Sequence, residues 1–171
     1  VEGNSILFII DSDIAWNKGN SGGGIYLNNY RNVEFNNCEI RDNIAINNGG
    51  GIFNTNDSLN FIHKIVENEN IQDTLITKIT GNYSRNGGGI YQLNSNYGFD
   101  GIVVNNNTAE ENGGAIFVQN TTSQFNNLIL KNNTANKGGA IYVSDSDLNI
   151  YHLTGYMNFA NIASNIYTEN S

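Results

Sequence analysis

The chain has 171 residues, a net charge of −8 and only eight Lys plus Arg. Because it has no basic cluster that could neutralise phosphates, nucleic acid is excluded as a partner. Its longest apolar run, Ile6 to Ile10, is far too short for a bilayer, so we expect no membrane span in this segment. With 35 Asn, 19 Gly and no Pro, the composition favours many short elements joined by tight turns, because Asn and Gly tolerate positive φ angles.

A glycine-rich line recurs along the chain and ends each time in isoleucine followed by an aromatic residue. In chain order it reads GGGIY, GGGIF, GGGIY, GGAIF and GGAIY, and a sixth copy, SNIYT, has lost its glycines. The intervals between successive isoleucines are 27, 38, 26, 25 and 25 residues. A repeat of this length indicates a solenoid, in which equivalent residues of successive coils stack. The isoleucines predicted to form an inward ladder are Ile25, Ile52, Ile90, Ile116, Ile141 and Ile166.

A second motif keeps register with the first: an apolar residue, two variable residues, Asn, one residue, then a small residue. It begins at Ile40 as IRDNIA, recurs three times, and is followed each time within two or three residues by the paired glycines. Stacked Asn side chains can bond one another, as they do in cross-β structures. The predicted asparagine ladder consists of Asn43, Asn82, Asn107 and Asn133.

Apolar residues alternate in short runs, such as Val33 with Phe35 and Leu128 with Leu130, which is the period of a strand. Three short strands and three corners account for a repeat of about 25 residues. The sequence therefore predicts an all-β fold, a right-handed parallel β-helix of about six coils with three short strands per coil. At roughly 4.8 Å per coil, six coils make a rod about 29 Å long. In this register Cys38 aligns with Leu128 and is expected to point inward.

The one long interval, from Ile52 to Ile90, carries about twelve extra residues. A solenoid accommodates such an insertion at one corner without breaking the stack. We therefore predict that residues 1–171 form a single β-helix domain, or a fragment of a longer one, with a projecting loop at about 55–73.

The lines GGAIYVSDSDLNIYHL and LKNNTANKGGAIYV resemble the β-helix repeats of bacterial surface passengers, of which the chlamydial polymorphic membrane proteins, with their GGA[ILV] and FxxN repeats, are the named case. The Phe of FxxN is replaced here by Ile40, Ile79, Val104 or Leu130. The resemblance covers the chain apart from the 55–73 loop. It implies a location at the cell surface or outside the cell, and an adhesive or structural role.

The residue after each ladder isoleucine is aromatic, and strand alternation places it on the outer face of the coil. A strip of stacked rings could bind glycans or another rod, or it could simply cover the glycine-rich corner. The outward strip is predicted to contain Tyr26, Phe53, Tyr91, Phe117, Tyr142 and Tyr167.

Five Asn-X-Ser/Thr sequons are candidate N-glycosylation sites, although an asparagine-rich chain yields several by chance. They begin at Asn56, Asn82, Asn106, Asn120 and Asn132.

The primary function predicted is a non-enzymatic extracellular structural or adhesive element, a surface adhesin stalk or filament subunit. We expect no catalytic, cofactor-binding or metal-binding residues and no cofactor. The expected partners are further copies of the chain through open β-helix ends or a continuation in a longer chain, together with glycans or proteins of a host or neighbouring surface. The alternative is a carbohydrate-active β-helix enzyme, resembling a polysaccharide lyase or hydrolase, or a glycan-binding module.

Overall fold

The protein is a parallel β-solenoid without helices in the part of the chain that the structure describes. The computed structural model describes residues 6–29, 32–56, 59–62, 64–68, 71–95 and 98–170. About six coils stack through three long parallel sheets, one strand of each coil to each sheet, which confirms the predicted fold class. Among the described residues there is no helix that could cross a membrane.

Three six-stranded sheets run along the solenoid, and we call them the first, second and third sheets in the order in which a coil passes through them. The first contains β2 (Asp13–Ala15), β6 (Glu39–Arg41), β12 (Thr77–Thr80), β15 (Asp100–Asn105), β18 (Thr122–Lys131) and β21 (Asp147–Tyr156). The second contains β3 (Lys18–Ser21), β7 (Ile44–Asn48), β13 (Tyr83–Asn86), β16 (Thr108–Asn112), β19 (Thr134–Lys137) and β22 (Phe159–Ile162). The third contains β4 (Ile25–Asn28), β8 (Ile52–Thr55), β14 (Ile90–Leu93), β17 (Ile116–Gln119), β20 (Ile141–Ser144) and β23 (Ile166–Glu169).

In the early coils, a shorter parallel sheet lies before the first sheet in chain order. In the long interval from Ile52 to Ile90, a hairpin follows the last strand of this short sheet. The short sheet contains β1 (Ile6–Ile10), β5 (Asn32–Asn36) and β9 (Leu59–Ile62), and the antiparallel hairpin contains β10 (Lys64–Asn68) and β11 (Ile71–Leu75). The 55–73 segment thus includes one strand that belongs to the coil, β9, and most of a hairpin that has no counterpart in the other coils.

Positive φ angles bend each coil at repeated positions. Three residues before each ladder isoleucine lies a residue in the left-handed region, and it is glycine in the first five coils and Ala163 in the last. A Cβ placed on these glycines would lie 2.3 to 2.5 Å from the carbonyl oxygen of that isoleucine, so only glycine fits the corner without strain. Four residues after each ladder isoleucine, a second left-handed corner is occupied by Asn29, Asn56, Asn94, Asn120, Asp145 and Asn170.

Alternating side chains of the first and third sheets, and of the short sheet that precedes the first, fill one continuous core. Ile52, Ile90, Ile116 and Ile141 are completely buried in it, and Ile25 of the first coil packs against it, whereas Ile166 of the last coil is 39% exposed. A column of buried phenylalanines adds ring contacts with centroids 4.5 to 5.5 Å apart. The column contains Phe35, Phe61, Phe99 and Phe125. Cys38 is also buried in this core.

The corner geometry makes a testable prediction about Gly113. Its φ is +65°, and an added Cβ would lie 2.4 Å from the backbone oxygen of Ile116. We therefore expect Gly113→Ala to lower the free energy of unfolding by about 2 kcal/mol or more, because the backbone must move. Gly155→Ala is the control, since its added Cβ meets nothing closer than the side chain of Asn165 at 3.2 Å. Urea denaturation measures both, and equal losses would contradict the corner argument.

Candidate functional site: the amide ladder and the outer faces

The most regular side-chain array in the molecule is a ladder of asparagines at the corner between the first and second sheets. Each rung follows a residue with positive φ, such as Asp42, Asn106 or Asn132, which turns the chain and directs the next side chain inward. The four predicted rungs are fully or almost fully buried, and the structure extends the ladder by one rung at each end. The rungs in order are Asn17, Asn43, Asn82, Asn107, Asn133 and Asn158.

Each of the four inner rungs is held by the same set of hydrogen bonds, as Asn107 illustrates. Its Oδ1 accepts from the backbone N–H of Asn82 at 2.9 Å and from Asn82 Nδ2 at 3.0 Å. Its own Nδ2 donates to the carbonyl oxygen of Ile79 at 2.9 Å and to Asn133 Oδ1 at 3.1 Å. A buried amide is tolerated only when its donors and acceptor are paired, and this arrangement pairs both while joining three successive coils.

The two additional rungs show what the sequence motif contains. Asn17 lies in the pattern Ile14-Ala-Trp-Asn17-Lys-Gly19, which fits the motif in full, so the signal for it was present in the sequence. Asn158 lies in GYMNFA, where Gly155 replaces the apolar residue and hides the motif. At that end Asn158 Nδ2 donates to Leu130 O at 2.9 Å and to Asn165 Oδ1 at 3.1 Å.

The aromatic residues after the ladder isoleucines form a second column, separate from the main core. Strand alternation puts them on the face opposite the isoleucines, and neighbouring rings stack with centroids 4.6 to 5.4 Å apart. The four central members are only 5 to 7% exposed, whereas Tyr26 at one end is 55% exposed. Because the central rings cover one another, their faces are not available to a sugar. Those four are Phe53, Tyr91, Phe117 and Tyr142.

The phenol groups of the column bond to side chains at the end of the third sheet. Tyr91 donates its hydroxyl hydrogen to Gln119 Oε1, and Tyr142 donates to Glu169. Burial raises the pKa of Tyr91 to about 12. Burial, with the neighbouring Glu169 carboxylate as a second cause, also raises the pKa of Tyr142. The column is therefore a packed element in which Tyr91 and Tyr142 hold their phenol protons more tightly than a free tyrosine does.

The sequon asparagines divide into two groups. Asn56, Asn106, Asn120 and Asn132 are exposed and lie at left-handed corners. Asn82, by contrast, is a buried ladder rung whose Nδ2 donates to Ile40 O and to Asn107 Oδ1. In the folded chain its amide nitrogen is inaccessible to a modifying enzyme, which a local three-residue pattern cannot reveal. For Asn56, the other two residues of the sequon lie outside the described residues.

Charged side chains on the outer faces pair across neighbouring coils. Arg41 contacts Asp13 at 2.7 Å and Asp42 at 3.1 Å. Arg85 contacts Glu111 at 2.8 Å, and the hydroxyl of Tyr83 donates to Glu110 at 2.5 Å, a bond that raises the pKa of Tyr83. Within the described residues, no group of three or more His, Cys, Asp or Glu side chains could hold a metal ion.

Comparison with known proteins identifies two of the coils as recognised repeats. Residues 101–119 and 127–144 match the model of the Chlamydia polymorphic membrane protein repeat. Each matched segment contains the asparagine rung and the GGAI corner of one coil. Two coils of this β-helix are therefore similar to the Chlamydia polymorphic membrane protein repeat. This confirms the resemblance seen in the sequence.

The polymorphic membrane protein repeats indicate an adhesin-like protein of the cell surface. The matched repeats are the two in which the third residue of the corner is Ala115 or Ala140, both buried in the core, whereas the first three coils have glycine there. The matched segments cover about a fifth of the 171 residues. No curated protein and no solved structure matches the chain.

Removal of one rung tests the amide ladder. We expect Asn107→Ala to lower the free energy of unfolding by about 3 kcal/mol or more, because it leaves two buried donors of Asn82 without their acceptor and exposes the Ile79 carbonyl to an apolar cavity. Asn136→Ala is the matched control, since Asn136 is exposed and accepts only an exposed bond from Asn161, and it should cost within about 0.5 kcal/mol. Chemical denaturation gives both values, and a small loss for Asn107→Ala would refute the ladder's role.

The tyrosine column predicts a loss of stability at alkaline pH. The folded state holds the phenol proton of Tyr91 more tightly than the unfolded state, whose pKa is near 10.0. Its contribution to stability is therefore complete below about pH 10 and is lost as the pH rises through about 12. Denaturation at a series of alkaline pH values should show this decline, and Tyr91→Phe should make it shallower. Tyr151→Phe, which removes a hydroxyl from a side chain that is 49% exposed, is the control, and the difference between the two variants measures the effect of the buried hydroxyl.

Proposed function

We propose that this β-helix is a non-enzymatic structural and adhesive element of a surface-exposed protein, acting outside the cell as an adhesin stalk or filament subunit. The observation that supports this proposal most is that the two matched repeats lie inside an amide ladder that continues unbroken through six coils. Coils joined in this way form a stiff rod, which suits a stalk that holds a contact surface away from a membrane.

The outer faces of the rod are the surfaces that would meet a partner. The second sheet carries the most irregular of them: Ile44 and Ile46 are 38% and 67% exposed, and they lie beside Tyr83 and the paired Arg85 and Glu111. Exposed apolar side chains with charged residues around them are typical of surfaces that bind other proteins. We propose a protein of a host or neighbouring cell surface as the partner of this face. A glycan partner is less well supported, because the central rings of the aromatic column are covered.

Display of the chain on a non-adherent bacterium tests the adhesive role. We expect displayed chain to confer attachment to cultured epithelial cells or to neighbouring cells of the source organism, and Ile46→Asp to reduce attachment by about tenfold. Ile129→Asp is the matched control, since Ile129 is also an exposed isoleucine but lies on the first sheet. Absence of attachment would refute the adhesive role. Cleavage of a polysaccharide by the purified chain would instead favour the carbohydrate-active alternative, and binding to immobilised glycans would favour the glycan-binding one.

We also propose that the stack of coils continues beyond the rungs of Asn17 and Asn158, either in a longer chain or in a second copy placed end to end. A coil added next to Asn17 would extend the ladder as the internal coils do, whereas a coil added next to Asn158 would have to replace the bond from Asn158 Nδ2 to Asn165 Oδ1. Sedimentation and electron microscopy of the 171-residue chain distinguish these possibilities. Rods whose lengths rise in steps of about 29 Å support end-to-end assembly. A monomer at all concentrations refutes it for this chain.

A further inference from the structure

Three Asn-Gly peptide bonds lie at the corner between the second and third sheets. Their reactivity, described below, is separate from the repeat pattern and from the proposed adhesive role. They are Asn48-Gly49, Asn86-Gly87 and Asn112-Gly113, one in each of three successive coils. Asparagine followed by glycine is the sequence most prone to spontaneous deamidation, because glycine leaves the next backbone nitrogen sterically open. In this reaction that nitrogen bonds to the side-chain Cγ and ammonia leaves, which gives a cyclic succinimide. Water then opens the ring to aspartate or isoaspartate.

In the folded solenoid, the backbone nitrogen that would attack is held in a hydrogen bond to the next coil. The N–H groups of Gly49, Gly87 and Gly113 donate to carbonyl oxygens of the next coil at 3.0, 2.9 and 3.0 Å. All three glycines are buried, and each is in the left-handed conformation with the carbonyl of the ladder isoleucine close by. Attack would require the loss of this inter-coil bond and a rotation of the peptide in a crowded corner.

The side chains that would be attacked are also held. Asn112 Nδ2 donates to Asn86 Oδ1 at 2.9 Å, and Asn86 Nδ2 lies 3.4 Å from Asn48 Oδ1. These three amides form a short second ladder, parallel to the main one and half-buried. Both reacting groups are therefore fixed by contacts that exist only while neighbouring coils are stacked.

We propose that Asn48, Asn86 and Asn112 are latent deamidation sites, blocked in the wound β-helix and released when the coils separate. The product harms the fold in two ways. Aspartate at these positions places like charges one coil apart and removes the amide donor. Isoaspartate directs the main chain through Cβ, which lengthens the corner by one atom and breaks the register between the second and third sheets. A chain left unwound thus loses the ability to wind again.

The rate comparison that tests this uses the full chain and one peptide. The chain is incubated in mildly alkaline buffer, either folded or in guanidinium, and a peptide covering residues 83–91 gives the rate without any fold. Proteolysis, mass spectrometry and isoaspartate methyltransferase labelling then measure conversion at each of the three bonds. We expect the denatured chain to react as fast as the peptide, and the folded chain to react at least about tenfold more slowly at all three sites. A smaller ratio, or no reaction in the denatured chain, overturns the proposal.

A refolding arm tests the consequence. Denatured chain aged until most molecules carry isoaspartate is diluted out of guanidinium, and recovery of the cooperative unfolding transition is measured. We expect recovery to fall in proportion to the isoaspartate content. A chain carrying Asn48→Gln, Asn86→Gln and Asn112→Gln, aged in the same way, is the control, because glutamine cyclises far more slowly. Full recovery of the aged wild-type chain would overturn the claim that the reaction prevents rewinding.

Discussion

The amide ladder is the interaction on which the rest of the structure depends. A primary amide has two donor hydrogens and one acceptor oxygen. The four inner rungs use them in the same way, with the oxygen facing one neighbour and a hydrogen facing the other. Because the side chain is buried, an unmatched rung would leave polar groups without partners in an apolar environment. The ladder therefore fixes the rise and the register of each coil relative to the next. The isoleucine and phenylalanine columns fill the space that this register defines.

The ladder also explains the composition of the corners. To direct an asparagine inward at the end of one sheet, the residue before it takes a left-handed conformation, and Asp42, Gly81, Asn106 and Asn132 all do so. The residue two positions after the rung faces inward in a confined space and is small, as Ala45, Ser84, Ala109 and Ala135 are. The high content of Asn and Gly thus has a geometric cause, since these residues adopt left-handed conformations at least cost.

The coil architecture could be predicted from the sequence because stacking turns one-dimensional periodicity directly into contacts. The isoleucine line, the asparagine motif and the paired glycines recur at fixed offsets, so each copy supports the interpretation of the others. The phenylalanine column could not be found in this way. Phe61 lies within the long interval and Phe99 after it, and the hairpin β10–β11 between them interrupts the spacing. The burial of Tyr91 and Phe117 was also hidden, because strand alternation gives the face of a side chain but not how completely its neighbours in adjacent coils cover it.

Specificity in such a molecule must come from departures from the repeat, and the second sheet shows how the fold permits them. Most strands of the second sheet have one residue between their inward-facing small residue and their last residue. Strands β7 and β16 have two residues there, and the register of their pairing with neighbouring strands shifts at this point. The extra residues put Ile46 and Asn47 on one coil and Glu110 and Glu111 on another, around Arg85 of the coil between them. Ala45 stays paired with Gly19 and Ala109 with Ser84, and in these two strand pairs the shift in register comes after the inward small residue. A chain of this kind can therefore change what its outer face binds without changing the ladder that holds its coils together.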